Sequence, residues 1–109
     1  MRFLVKVNIP VETGNRAVQE GTLGKTIQKI LGEQKPEAAY FVAENGQRCG
    51  YLILNMENTS KIPSITEPWF LAFNASVEFK PAMVIDDLQK AGQDMAASVK
   101  NYAQEYAAV

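Results

Sequence analysis

The sequence of 109 residues contains no histidine and only one cysteine, Cys49. The absence of histidine removes the commonest protein ligand of zinc, the usual haem ligand and the side chain best suited to proton transfer near neutral pH. It also excludes Ser-His and Cys-His nucleophile pairs. Carboxylates, lysines and tyrosines remain as acid–base candidates, and each would need its pKa shifted by burial or by a charged neighbour. Since the carboxylates are scattered along the chain, we expect no metal site and no cofactor.

The chain also lacks a block of charge, a second cysteine and a long apolar run. Its 11 basic and 12 acidic residues are interspersed, so no basic stripe is available to contact nucleic acid. A lone cysteine cannot form an internal disulfide, which is typical of reducing compartments. No apolar run approaches the roughly 20 residues of a membrane helix, and none precedes the first predicted strand as a leader. We expect a cytoplasmic protein that binds neither nucleic acid nor membranes.

What the sequence does contain is a series of hydrophobic periods that change in a definite order. Phe3, Val5, Val7 and Ile9 alternate with polar residues, which predicts a half-buried strand. A helical pattern, two strands, a second helical pattern, a further strand and a long amphipathic helix follow. The order βαββαβ plus a helix predicts one ferredoxin-like α+β domain over residues 1–109, with an antiparallel sheet that carries helices on one face only.

Local signals predict the bounds of the first elements. A first helix is expected from about residue 17 to 31 and should end at Gly32, after a region of turn and cap residues over 11–15. Gly21 and Gly24 within this helix are interpreted as allowing its backbone to approach the sheet closely. Residues 38–44 and 48–56 should form a hairpin, because Asn45-Gly46 supplies the positive φ that tight turns require.

Proline positions dominate the predictions for the second half. A helix is expected over about 62–73, in which Pro68 should introduce a kink or a break. The last strand is expected over about 74–80 and should stop at Pro81. Apolar residues at helical spacing then predict one C-terminal helix whose stripe comprises Leu88, Ala91, Met95, Val99, Tyr102 and Tyr106. Trp69, Phe70 and Phe73 either pack the second helix on the sheet, which we favour, or border a pocket.

The face of the sheet opposite the helices is where we expect function. If the odd residues of the first strand face the helices, then Lys6 and Asn8 lie on the open face. The last strand adds Ser76, Glu78 and Lys80, and the hairpin adds Tyr40, Val42, Glu44, Tyr51, Ile53 and Asn55. Lys6 and Glu78 should face each other as a cross-strand pair. This mixture of apolar and polar groups suits a small-molecule cavity, although a hydrated surface with ion pairs at its rim is an equal alternative. Cys49 is interpreted as a small apolar filler rather than a reactive thiol.

The chain resembles the dimeric α/β-barrel superfamily in its order of elements, in the opening Arg2-Phe3-Leu4-Val5-Lys6-Val7 strand and in the final segment from Glu78 to Met83. Muconolactone isomerase-like, antibiotic-biosynthesis-monooxygenase-like and stress-responsive barrel proteins belong to this superfamily. The resemblance implies that two ferredoxin-like sheets pack face to face around a cavity. A segment like Glu67-Pro68-Trp69-Phe70-Leu71-Ala72-Phe73-Asn74 is similar to one in uncharacterised bacterial members. Without histidine, the chain lacks the haem ligand of the haem-binding branches and the dyad of the YCII-like branch.

Three functional hypotheses follow. The first is a homodimer that binds a small molecule on the open face through Lys6, Asn8, Tyr40, Tyr51, Asn55, Ser76 and Glu78. The second is a cofactor-independent isomerase or monooxygenase for a small aromatic or polyketide-like substrate, in which Glu78 or Lys6 moves protons and Tyr40 or Asn8 polarises a carbonyl. The third is a purely structural dimer whose interior is filled by side chains.

Overall fold

Four antiparallel strands form one sheet in the order β2-β3-β1-β4 in the computed structural model, which describes residues 1–103. The strands are β1 (Arg2–Ile9), β2 (Ala38–Glu44), β3 (Gln47–Asn55) and β4 (Ser76–Ala82). The helices are α1 (Val11–Gln19), α2 (Leu23–Gln34), α3 (Ile62–Phe73), α4 (Ile85–Lys90) and α5 (Gly92–Ser98). A 3₁₀ turn over Thr59–Lys61 precedes α3, and a π-helical turn over Val99–Ala103 follows α5. The predicted α+β ferredoxin-like class is confirmed.

The central strand β1 sets the two faces of the sheet. Val5 lies opposite Leu52 of β3 and opposite Phe79 of β4, and Val5 and Leu52 are fully buried. The odd residues of β1 therefore point toward the helices, as its alternating pattern predicts. The core between sheet and helices is completed by Trp69 and Phe73 of α3 and by contributions from α1 and α2. Core packing of the aromatic cluster is thus confirmed for these two rings, whereas Phe70 is exposed.

The hairpin between β2 and β3 forms as predicted. Asn45 and Gly46 both have positive φ, at 52° and 74°, which is the backbone of the two-residue turn that matches strand twist. Ala38–Glu44 pairs with β3 so that Tyr40 lies opposite Tyr51 and Val42 opposite Cys49. Strand β2 is one edge of the sheet, and β4 is the other.

The first helical region differs from its prediction in two ways. It consists of two helices, because Gly21 adopts a φ of 72° that breaks the helix after Gln19, and the predicted turn region 11–15 belongs to α1. The glycines do not mark a close approach to the sheet, since a Cβ added at Gly21, Gly24 or Gly32 would meet nothing within 4 Å. Helix α2 continues past Gly32 and ends where Lys35 takes a left-handed conformation.

Pro68 and Pro81 lie within regular elements at positions where the sequence predicted interruptions. Helix α3 runs unbroken through Pro68, and the carbonyl of Ser64 that loses its partner lies on an exposed residue, where water can satisfy it. Asn58 accepts a hydrogen bond from the backbone N–H of Ser60, so it caps the turn that leads into α3. Pro81 lies within β4, opposite Phe3, because β4 is an edge strand with one side unpaired in the described chain.

The chain after β4 extends away from the sheet. We call residues 85–103 the C-terminal arm; they comprise α4, α5 and the π-helical turn, and they make no more than marginal contact with the strands or with α1–α3. Apart from the half-buried Ala91, every residue of the arm is exposed. The prediction of one C-terminal helix is wrong within the described residues, because two short helices and a π-helical turn take its place. The apolar residues of its predicted stripe from Leu88 to Tyr102 are divided between these segments, and Tyr106 lies outside the described residues.

Within residues 1–103, none of the helices is both long enough and apolar enough to cross a membrane.

Candidate functional site

The register places all seven predicted binding residues on the face opposite the helices. Lys6 pairs with Tyr51 on one side and with Glu78 on the other, while Asn8 pairs with Cys49 and Ser76. Tyr40 extends this row across β2. We call this surface the open face. Its assignment to function remains a prediction, whereas the positions of its residues follow directly from strand pairing.

The centre of the open face is a hydrogen-bonded network of three side chains, Lys6, Glu44 and Tyr51. The ammonium of Lys6 forms an ion pair with Glu44, and the Tyr51 hydroxyl donates a hydrogen bond to the same carboxylate. The side chains of Lys6 and Glu44 are only 22% and 30% exposed. We call these three residues the Lys6 network. It couples three strands, because β1, β2 and β3 each contribute one member.

Each member of the Lys6 network has a pKa that favours its ordinary ionisation state. The hydrogen bond from Lys6, followed by that from Tyr51, lowers the pKa of Glu44. The contact with Glu44 raises the pKa of Lys6 above 10.5 and that of Tyr51 above 10.0. At neutral pH the network is therefore an ammonium, a carboxylate and a neutral phenol, with no net charge.

Lys6 and Glu78 are cross-strand neighbours as expected, but they do not form an ion pair. The two residues face each other across β1 and β4, but the ammonium of Lys6 reaches the other way, over Tyr51, to Glu44. Glu78 raises the pKa of Lys6 through its charge, without a hydrogen bond. Sequence reasoning placed Glu44 on this surface but not in the site. Two features of the sequence indicate this contact. Glu44 has an even position in β2, which puts it on the open face, and the lysine and tyrosine side chains are long enough to reach it.

Asn55 lies apart from the other predicted binding residues. It donates to Glu37 Oε1 at 3.0 Å, and the Nε of Arg2 pairs with Glu37 Oε2 at 2.9 Å. This second cluster lowers the pKa of Glu37, chiefly through the hydrogen bond from Arg2. Asn55 is four residues along β3 from Tyr51, about 13 Å. The half-buried Leu4 and Ile53 separate the two clusters, so the open face has an apolar centre between two polar groups.

Cys49 lies on the open face but is only 2% exposed. Burial raises the pKa of its thiol, and the nearby Glu44 carboxylate raises it further. A thiol that resists ionisation is a poor nucleophile and a poor metal ligand. The geometry therefore supports the interpretation of Cys49 as a filler. Residues 1–103 contain no cluster of three or more acidic or cysteine side chains that would hold a metal.

Three concavities of about 300 to 400 Å³ lie on the helical side of the sheet or at its ends. The largest lies between α2, α3 and the loop after β3, and includes Asn55. None of the three includes Lys6, Tyr51 or Glu78.

The sequence matches a known protein family over most of its length. The family described as Domain of unknown function (DUF3303) matches residues 1–96, which include the whole sheet. The chain belongs to DUF3303. No curated protein matches this DUF3303 member. Four solved chains do, among them a formyltetrahydrofolate deformylase from Pseudomonas putida KT2440.

The likeness of the DUF3303 chain to that deformylase is limited. Sequence identity is 11%, the TM-score is 0.47, and the match covers 75% of this chain. The chain spans only 29% of the length of the deformylase.

The Lys6 network makes the stability of this DUF3303 domain depend on pH in a specified direction. Because the pKa of Glu44 is below 4.5, its contribution is present above that pH and is lost as the pH falls through the lowered value. Because the pKa values of Lys6 and Tyr51 are raised, their contributions are lost as the pH rises through those values. We expect Glu44→Gln to flatten both limbs of a plot of melting temperature against pH.

The matched control is Glu67→Gln on the exposed side of α3, which should preserve the wild-type profile. Differential scanning fluorimetry from pH 3 to pH 11 measures both variants. Identical acid limbs for wild type and Glu44→Gln would contradict the assignment.

Proposed function

We propose that the protein is a homodimer that binds a small molecule between two open faces. The observation that carries this proposal is the Lys6 network, a partly buried group of charges on a sheet face that no element within residues 1–103 covers. Tyr40 and Val42 beside it are 66% and 45% exposed. An exposed apolar surface around polar groups that are held in position by hydrogen bonds is typical of a binding surface.

The dimensions of the chain support association. Its accessible surface is 7791 Å², about 1,800 Å² more than a compact monomer of this mass exposes. A stable interface of standard size removes about 800 Å² from each partner. The radius of gyration is 19.1 Å, against about 13 Å for a compact domain of about 100 residues. The excess surface is thus ample for a dimer.

The C-terminal arm supplies a second apolar surface that suits the same partner. Leu88, Met95, Val99 and Tyr102 recur at intervals of three, four and seven residues and are all exposed. Such a stripe faces a packing partner in folded proteins. Since the arm leads away from its own sheet, we propose that it lies along the second protomer.

The ligand would carry a hydrogen-bond acceptor and a small apolar body. The Lys6 ammonium and the hydroxyl of Ser76 are donors on this face, and Asn8 provides a donor and an acceptor. Tyr40, Leu4 and Ile53 supply apolar area. The family match names neither the muconolactone isomerase-like nor the monooxygenase-like branch of the dimeric α/β barrels. Membership of either branch is therefore part of the proposal.

Ligand binding is favoured over proton transfer by the state of the Lys6 network. An ammonium whose pKa is raised by its ion pair is a poor general base at neutral pH. Of the two proton-transfer candidates from the sequence, Lys6 and Glu78, only Glu78 is not hydrogen-bonded within the network. Turnover therefore comes second to binding, and a dimer that binds nothing is the remaining outcome of the tests below.

Association through the open face predicts that Tyr40→Asp lowers dimer affinity by at least about 100-fold, because it places a charge in the interface. Sedimentation velocity between 1 and 100 µM measures the effect. The control is Leu71→Asp, which alters an exposed apolar side chain on the helical side and should remain dimeric. A wild-type monomer at 100 µM would contradict the proposal, as would dissociation by Leu71→Asp alone.

Packing of the C-terminal arm on the partner predicts a loss of affinity for Met95→Asp. The control Gln93→Asp introduces the same charge on the opposite side of α5 and should have no effect. In a monomer both residues are exposed, so equal behaviour of the two variants in sedimentation would show that the arm does not contribute.

Ligand binding predicts that some members of a library of small aromatic acids, ketones and lactones raise the melting temperature, since binding to the native state stabilises it by mass action. Lys6→Met should abolish the shift, and Lys29→Met, on α2 at the helical side, should retain it. Equal shifts in both variants would remove the Lys6 network from the site. A dimer with no shift for any compound would favour the purely structural alternative.

A further inference from the structure

A second concavity lies on the helical side of the sheet, away from the Lys6 network. It has a volume of about 300 Å³ and is formed between α2 and the β2–β3 hairpin. Leu23 and Ile27 of α2 form one wall, and Phe41 and Ala43 of β2 form the other. Arg48 is the only charged residue that lines it. We call this concavity the Arg48 pocket.

The apolar wall on β2 depends on a glycine in the neighbouring strand. Phe41 lies opposite Gly50, and a Cβ at Gly50 would come within 3.0 Å of Cε1 of the Phe41 ring. Because Gly50 has no side chain, the ring lies down against β3. Phe41 nevertheless remains 50% exposed, which leaves an aromatic face available to a ligand.

The guanidinium of Arg48 is held in place but is not neutralised. Its Nη1 donates to Asn15 Oδ1 at 3.1 Å and packs on Gly14, where a Cβ would lie 2.6 Å from the same nitrogen. Among residues 1–103, no carboxylate forms an ion pair with it. Arg48 offers five N–H donors, and Asn15 accepts from one of them. A positioned cation with unused donors at the wall of an apolar pocket is complementary to a carboxylate.

We propose that the Arg48 pocket binds a small monocarboxylate with an aliphatic body, such as a medium-chain fatty acid. Arg48 would bind the carboxylate through two parallel hydrogen bonds, and Leu23, Ile27 and Phe41 would contact the apolar body. The volume lies at the lower end of the range for ligand pockets, which limits the ligand to small molecules. The inference does not depend on the dimer, because the side chains that would hold the ligand, Arg48, Leu23, Ile27 and Phe41, lie on the helical side of the sheet, away from the Lys6 network.

The test uses octanoate and its uncharged counterpart octanamide as probes, titrated into the full-length protein by isothermal calorimetry. Octanoate should bind one site per chain, and octanamide should bind about tenfold more weakly or worse, because it lacks the charge that pairs with Arg48. Arg48→Met retains much of the apolar stem and should bind both probes with the low affinity of octanamide. Lys29→Met, at an exposed position of α2 that does not line the pocket, should bind octanoate like the wild type.

A second variant makes the result independent of how Arg48→Met folds. Ala43→Leu fills the pocket while leaving Arg48 in place, and it should abolish binding of both probes. Equal affinity of the wild type for the two probes would overturn the proposal. So would an absence of saturable octanoate binding up to about 10 mM, or retention of binding in Ala43→Leu. Loss of binding in Lys6→Met with retention in Arg48→Met would place the probe on the open face instead.

Discussion

The alternation of side chains along β1 determines the arrangement of the whole domain. As the central strand, β1 pairs with both β3 and β4, so the face taken by Val5 fixes the faces of Leu52 and Phe79. A shift of one residue would expose every buried side chain of the strand. The same constraint sends Lys6 and Asn8 to the opposite side. Core and open face are therefore two consequences of one pattern.

The open face combines groups that a protein surface rarely leaves uncovered together. Charges in the Lys6 network compensate one another, so the surface keeps no net charge there, and the adjoining Leu4 and Ile53 are apolar. Hydration of a neutral, internally bonded network is weaker than that of isolated charges, which lowers the cost of covering it. The helical side differs, because Arg48 retains a cation that no carboxylate of the described residues pairs with. The two sides thus differ in the charge that they present.

Features that depend on neighbouring residues in the sequence were predictable. Features that depend on side-chain length or on the order of strands in the sheet were not. The two-residue period of β1 and the Asn45-Gly46 turn fix backbone conformation locally, so the sheet and its hairpin follow. The Lys6–Glu44 contact spans three strands and depends on side-chain length as well as register. Pro81 is tolerated because β4 is an edge, a fact that only the strand order provides. The Arg48 pocket requires α2, Phe41 and Gly50 to meet, and no local pattern shows that.

Strand β2 leaves one row of backbone donors and acceptors without a strand partner among residues 1–103. Its sequence, Ala-Ala-Tyr-Phe-Val-Ala-Glu, has a single charge and no proline. Natural edge strands usually carry lysine, proline or a bulge that blocks pairing with foreign chains, and β4 has both Lys80 and Pro81 while β2 has neither. The edge of β2 thus has the features of a template for cross-β growth. Edge-to-edge aggregation at high protein concentration is the liability that this edge carries.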